Sequence, residues 1–245
     1  MAHLSIAVII PVLKEADTIN PTLQHIDRLQ VRPKLEVIVV DGDSRRTTLK
    51  AVRENSLYNI HLKTATAPQG RGAQMNAGAA LSKTDILLFL HADTLISPPA
   101  IQGLQLAMKR DSGIVGGAFD LKIRSPKKRY RLIETMANAR SRITRIPYGD
   151  QAIFIRSDYF EKIGRYREIP IMEDVELMKR IKKNNDKICI LKDKVKTSSR
   201  RYEEEGMIHG WLRNHKVRIL YNLGVPPERL IKYYPDIRRK THEKK

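Results

Sequence analysis

Apolar positions along the chain follow two rhythms. Residues 6–10, 35–40 and 86–90 are short runs dominated by Ile, Val and Leu, which predict strands buried on both faces, as in a parallel sheet. Between them the spacing lengthens. Over 17–29, Ile19, Leu23, Ile26 and Leu29 recur at helical intervals, with Asp17 or Asn20 as caps and Pro21 confined to the first turn. Further helices are expected from near Ser44, over 70–82 and over 98–110. Strands alternating with helices of this length predict right-handed βαβ units.

The second half is less regular. It predicts a strand over 115–123, a basic loop over 124–131, a helix to about 143 and a strand over 151–156. A helix then opens near Glu173, short strands follow over 187–191 and 195–199, and an amphipathic helix over 206–223 places Ile208, Trp211, Leu212, Ile219 and Leu223 on one side. Neither repeat nor linker interrupts 1–245, so one domain is expected, with a frayed tail after Asp236.

Charge changes this picture more than composition does. A hydrophobic fraction of 41% suits a globular core, but 46 basic residues face 27 acidic ones, a formal +19. Residues 121–245 carry 33 of the basic and 16 of the acidic side chains. The first half is thus nearly neutral and the second strongly basic, which predicts an anionic partner for the latter. The single cysteine, Cys189, sits in an apolar run and reads as a buried strand residue, so neither a disulfide nor a cysteine-ligated zinc is expected. With no basic leader before Ser5 and no apolar stretch near membrane-span length, the expected location is the cytoplasm.

In open parallel sheets ligands bind beyond the carboxyl ends of the strands. The expected strands end in Pro11-Val-Leu-Lys-Glu15, Asp41-Gly-Asp43 and His91-Ala-Asp93-Thr94. Like charges gathered at one edge need a cation or hydrogen-bond donors among them. In Gly70-Arg-Gly-Ala-Gln-Met-Asn-Ala-Gly78, Met75 stands where a dinucleotide fingerprint needs glycine, and no P-loop Gly-Lys-Ser/Thr follows. A glycine pair at a helix start beside Arg71 still lets backbone approach a phosphate, while Gly78 equally suits close helix packing.

Taken in order, Ile9-Ile-Pro-Val-Leu-Lys-Glu15, Val39-Val-Asp-Gly-Asp-Ser44, the glycine-rich stretch, Leu90-His-Ala-Asp-Thr94, Gly149-Asp-Gln151 and Glu173-Asp174-Val-Glu-Leu177 resemble the family 2 glycosyltransferases over roughly residues 5–185. The spellings His-Ala-Asp-Thr and Gly-Asp-Gln are similar to those of compact bacterial members, the selenodomain-associated transferases. The resemblance implies the α/β GT-A fold, a mostly parallel sheet flanked by helices. Residues 1–115 would bind the nucleotide sugar, 116–200 the acceptor, and 201–245 would form a helical extension.

It also implies roles. Pro11 and Glu15 match the loop that lines the base and ribose, and Asp41 the aspartate that hydrogen-bonds the base. Asp93 matches the last aspartate of the Asp-x-Asp motif that binds Mg²⁺ or Mn²⁺, and His91 replaces its first. Asp174 matches the general base of an inverting transfer, with Glu173 beside it. Asp150 and Gln151 belong to a turn at the acceptor, while Arg71 and Arg201 suit the diphosphate. Arg45 and Arg46 replace a common Thr-Asp, and Lys14 a common Asn. The expected partners are a nucleotide-diphosphate sugar and an acceptor that is anionic or lipid-linked, reached through a peripheral membrane contact of the last helix; no nucleic acid is expected. Two rival readings are weaker. A nucleotidyltransferase would need a glycine-arginine-lysine clasp after the first strand, and a nucleic-acid binder would rest on the basic half alone, with 6% aromatics and no known motif.

Overall fold

The computed structural model describes residues 4–53 and 56–234, and the tail expected to fray lies outside them. Its centre is a seven-stranded sheet in the order β3-β2-β1-β4-β6-β5-β7. Strands β1 (Ile6–Val12), β2 (Leu35–Asp41), β3 (Ile60–Thr66) and β4 (Ile86–Phe89) run parallel. Strand β6 (Phe154–Arg156) is antiparallel to both β4 and β5 (Ile114–Arg124), and β7 (Lys187–Ser198) returns parallel to β5. The residues just before β6 therefore stand at the same edge as the carboxyl ends of the other strands.

Alternation along the strands builds two cores. Val8, Ile10, Val37, Val39 and Leu88 face α1 (Ala16–Asp27) and α4 (Pro98–Arg110) through Leu23, Ile26, Ile101 and Leu104. Ile9, Ile38, Val40, Leu87 and Phe89 face the other way, against Met75 and Ala79 of α3 (Arg71–Ala80), Phe160 of α6 (Ser157–Lys162), and Leu177 and Met178 of α7 (Glu173–Lys183). Each such side chain, fully buried, contributes roughly 1.5–3 kcal/mol. Helix α3 lies unusually close to the sheet because a Cβ on Gly78 would stand 2.6 Å from Ile9 Cγ2 and 3.1 Å from Val40 Cγ2. Packing is therefore what this glycine serves.

Several expectations needed correction. The edge strand β3 was not foreseen, since its only apolar residues, Ile60, Leu62 and Ala65, are set among His, Lys and Thr. The two short strands expected over 187–199 are one strand, β7, with irregular pairing opposite Phe119 and Asp120. Because β7 is also an edge, Cys189 is only half-buried. The cap of α1 is Glu15, whose carbonyl accepts the N–H groups of Thr18 and Ile19. Asn20 instead donates to Ala51 O and accepts from Arg53 N, tying α1 to α2 (Thr47–Ala51).

Helices α5 (Arg129–Thr144), α8 (Arg200–Glu205), α9 (Met207–Asn222) and α10 (Pro227–Leu230) cover the far end of the sheet. Helix α9 is apolar on two sides rather than one. Trp211 packs on Tyr130 and Ile133 of α5, and Val217 is buried, whereas Leu212, Ile219 and Leu223 face solvent. The side chain of Ile208 lies outside the described residues. No described helix is long and apolar enough to cross a membrane.

Candidate active site

The loops after β1, β2 and β3 enclose an open cleft of about 480 Å³, lined by Lys14, Asp43, Ser44, Arg45, Pro68 and Gln69 among others. Hydrogen bonds fix its walls. Asp41 is fully buried, and its carboxylate accepts the N–H groups of Asp43, Thr48 and Leu49 at 2.9, 3.2 and 3.3 Å. Thr48 Oγ1 accepts the N–H of Glu15, joining the first loop to the second. Gln74 donates to Val12 O and Val40 O, both at 2.7 Å, so the ends of β1 and β2 are clamped together. Gly42 is required there: a Cβ would lie 2.9 Å from the Gln74 amide.

These contacts redistribute the expected roles. Asp41 is the anchor of the turn and also borders a smaller recess of about 330 Å³ beside Arg46 and Thr66. Asp43 lines both spaces. The Thr47 hydroxyl donates to it at 2.7 Å and, with the Arg45 N–H and charge, holds its carboxyl below the usual range despite partial desolvation. Pro11 stays within β1, paired with Val40, and the loop lining falls instead to Leu13 and Lys14. Glu15 reaches Arg200 at 3.5 Å. Sequence reasoning did not single out Asp43, Arg45 or Gln69 as lining; Asp43 had its proximity to Asp41 as the available signal.

A second group of side chains meets at the same sheet edge, beyond β4 and before β6. His91 and Asp93 follow β4. The turn Gly149–Gln151 precedes β6, with Ala152 left-handed at φ 50°. Met172, also left-handed at φ 71°, turns the chain into α7, so Glu173 and Asp174 open that helix. Gly149 fits between the two sides: a Cβ would stand 3.2 Å from His91 Nε2 and 3.4 Å from Asp174 Oδ2. Its N–H donates to Asp174 Oδ2 at 2.6 Å, while Asp174 Oδ1 accepts from Val175 N at 2.7 Å. Arg71, the first residue of α3, lies 3.9 Å from Glu173 Oε1. Burial works against its charge, but Glu173, Tyr234, Asp174 and Asp93 outweigh this and raise its pKa, so these groups surround one guanidinium. Gly70, just before it, has open space where a side chain would be.

Burial sets the protons here. Asp150 is pushed up to about 6 by desolvation, with Arg140 and Arg71 opposing and Asp174 assisting. Glu173 is pushed up to about 7 by burial and by the neighbouring Asp174, against the pull of Arg71. Carboxylates this displaced at a cleft are what proton transfer near neutrality requires.

Gln151 turns back into the protein. It is fully buried; its side-chain oxygen accepts from Ser141 Oγ, Arg140 Nη2 and Tyr148 N, and its amide donates to Phe119 O at 3.1 Å. All of these partners belong to the frame behind the turn, and Gln151 holds that frame together. Arg201 lies under the Tyr234 ring at 3.6 Å and near Glu205 Oε1 at 3.4 Å, with Arg213 on the same ring at 4.6 Å. Tyr234 is also among the groups that raise the Arg71 pKa, a proximity that no local pattern announces.

Among the described residues no group of three or more His, Cys, Asp or Glu is arranged to hold a metal by itself. Asp93 offers a half-exposed hard oxygen near the Thr94 hydroxyl at 3.5 Å, and Arg124 Nη2 donates to its carbonyl at 3.2 Å. One carboxylate with room around it fits a divalent ion that takes its remaining ligands from a bound diphosphate and water.

A mostly parallel sheet with its acids gathered beyond the strand ends is the architecture of the α/β GT-A fold. The chain belongs to glycosyl transferase family 2, whose family model matches residues 7–167. Solved structures agree on the fold. It is similar to the 1–349 fragment of Staphylococcus aureus TarS (TM-score 0.62, 18% identity, 89% of this chain and 66% of that one). It is also similar to a mannosyltransferase from Pyrobaculum calidifontis solved with GDP-Man and Mn²⁺ (0.67, 20%, 90% and 63%). GalNAc-T7 with UDP, GalNAc and Mn²⁺ is a third (0.62, 16%, 80% and 44%). The chain thus spans less than two thirds of each. No curated protein sequence matches it significantly. Family membership sets aside the nucleotidyltransferase and non-enzymatic readings.

Proposed function

We propose that the protein transfers a sugar from a nucleotide-diphosphate sugar to an acceptor hydroxyl, with inversion at the anomeric carbon. The observation that carries this is the grouping of Asp93, Asp150, Glu173 and Asp174 around Arg71, at the sheet edge that also bears the open cleft. The cleft between the loops after β1, β2 and β3 receives the nucleoside, with Asp43 and Lys14 at its wall. Arg71 and the unobstructed backbone at Gly70 receive the diphosphate. Support for such a donor also comes from the UDP, UDP-GlcNAc and GDP-Man complexes of the similar structures.

Asp93, with His91 nearby, would hold a divalent ion, Mg²⁺ or Mn²⁺, which when bound supplies charge neutralisation to the diphosphate. In the transfer, the acceptor oxygen bonds to the anomeric carbon as the bond to the diphosphate oxygen breaks and its electron pair leaves with the nucleoside diphosphate. Arg71 stabilises that growing charge. The hydroxyl proton passes to Asp174, which the N–H groups of Gly149 and Val175 hold in one orientation. Asp150 and Glu173 keep the neighbourhood from gathering three full negative charges, because each holds a proton part of the time near neutral pH.

Calorimetric titration of UDP and GDP, with and without Mn²⁺, tests the donor side, and a screen of nucleotide sugars for hydrolysis tests the chemistry. Metal-dependent nucleotide binding at micromolar to submillimolar concentration is the expected result. Failure of every nucleotide to bind in the presence of Mn²⁺ would overturn the reading.

A further inference from the structure

Helix α5 and the loop leading into it look two ways. Inward, Arg124 donates to the carbonyl of Asp93, and Arg140 stacks over the Tyr148 ring at 3.3 Å beside the Gly149–Gln151 turn. Outward, the same helix exposes Leu132 (65%), Met136, Ala139 and Ile143 (82%) along one line, at the four- and three-residue steps of a single helical face. Lys128, four residues before Leu132, continues that line. The adjoining segment 124–131 contains Arg124, Lys127, Lys128, Arg129 and Arg131 and no acidic residue.

Helix α9 packs against α5 through Trp211 and has its own outward line of Leu212, Lys216, Ile219 and Leu223, the last 75% exposed. A buried core has no use for these residues, and a solvated helix face would be polar. The basic cluster is also misplaced for the helix itself, since cations at a helix N-terminus oppose its dipole. Both costs vanish against one kind of partner, a surface with an apolar interior and a negatively charged skin.

We infer that the 124–131 segment, α5 and the outer line of α9 form a docking surface for an anionic lipid bilayer, holding the catalytic sheet edge beside a membrane-borne acceptor. The placement of the acceptor rests on the sugar-transfer reading; the docking does not. Apolar side chains on two adjacent helices would enter the headgroup boundary while Lys127, Lys128 and Arg129 meet lipid phosphates. The strongly basic second half supplies the longer-range attraction.

The test is flotation of the full chain with vesicles of phosphatidylcholine alone and of phosphatidylcholine with phosphatidylglycerol. The protein is expected to float with the anionic vesicles and to be released by high salt. In K128E/R129E, each lost cation should weaken binding about fivefold, and reversal by more. L132S/I143S/I219S should weaken it at least about tenfold through lost insertion. None of these side chains touches the site, so all variants should bind UDP or GDP with Mn²⁺ as the parent does; retained nucleotide binding separates failure of docking from failure of the transferase reading or of folding. Equal flotation with both vesicles, or none with either, would overturn the inference. So would a sedimentation-equilibrium dimer that L132S/I143S/I219S converts to monomer, because that would make a second copy the occupant.

Discussion

Asp43 and Glu173 stand at the same edge of one sheet, yet their surroundings move their proton affinities in opposite directions. On the β1–β3 side the acids are buried but rich in donors: Thr47 and Arg45 hold Asp43 below its usual range, and three backbone N–H groups claim Asp41. On the α7 side burial dominates, raising Glu173 to about 7 and Asp150 to about 6. The nearly neutral first half has acids held by hydrogen-bond donors that shape a cleft, whereas the basic second half has acids that burial makes able to exchange protons. A transferase needs both, because recognising a donor calls for fixed charges and removing an acceptor proton calls for movable ones.

The largest effect should come from the proton-exchanging side. Asp174→Asn keeps the shape of the carboxyl but removes its basicity, and kcat is expected to fall by about 10²–10⁴-fold with nucleotide affinity nearly unchanged. Equal loss of nucleotide binding would place Asp174 on the donor side and dissolve the contrast. Asp93→Asn should act in the complementary way. Loss of the hard oxygen is expected to weaken Mn²⁺-dependent nucleotide binding and reduce kcat/KM on the order of 10²-fold, partly restored by raising Mn²⁺. A titration showing identical Mn²⁺ dependence in the variant would remove Asp93 from the metal.

Next in size is a change of stability with little change in recognition. Gln151 is enclosed by Ser141, Arg140, Tyr148 and Phe119. Gln151→Ala leaves those groups without their partner and is expected to cost about 2–4 kcal/mol, a fall in Tm of roughly 5–15 °C, with donor affinity within about twofold of the parent. A large loss of affinity in a variant of unchanged Tm would return Gln151 to the binding surface.

The residue Gln151 also shows where sequence reading stops. The parallel strands were legible because β1, β2 and β4 are buried on both faces and so are spelled in Ile, Val and Leu. Strand β3 was not, because an edge strand with Lys63 paired to Glu36 reads as polar chain. The catalytic neighbourhood was legible as an ordered set of short motifs, and the structure gathers His91, Asp93, Asp150, Glu173 and Asp174 around one turn and one helix start. What the motifs could not reveal was direction. Asp41 and Asp43 differ by two positions but one is held under three N–H groups while the other lines the cleft, and Gln151 points back into the frame beside an acid whose surroundings raise its pKa. Such choices are made by Thr48, Ser141 and Phe119, which lie on other elements and carry no local signal.

The finest test of the contrast is the pH dependence of stability. Glu173 is buried, and its folded pKa of about 7 stands above the ordinary carboxylate value of 4.5. Between those two values the folded chain keeps a proton that the unfolded chain has released, so stability from this group is fully present below about 4.5 and is lost as pH rises through 7. Glu173→Gln cannot ionise and escapes that loss. The variant is therefore expected to match the parent near pH 5 and to exceed it at pH 8 by on the order of 1–3 kcal/mol, several degrees in Tm, since Arg71 at 3.9 Å offsets only part of the cost of burying the charge. A variant whose Tm stays below the parent's at pH 8 would mean that the ionised Glu173 is stabilised where it stands, and the α7 side would then hold fixed charges just as the β2 side does.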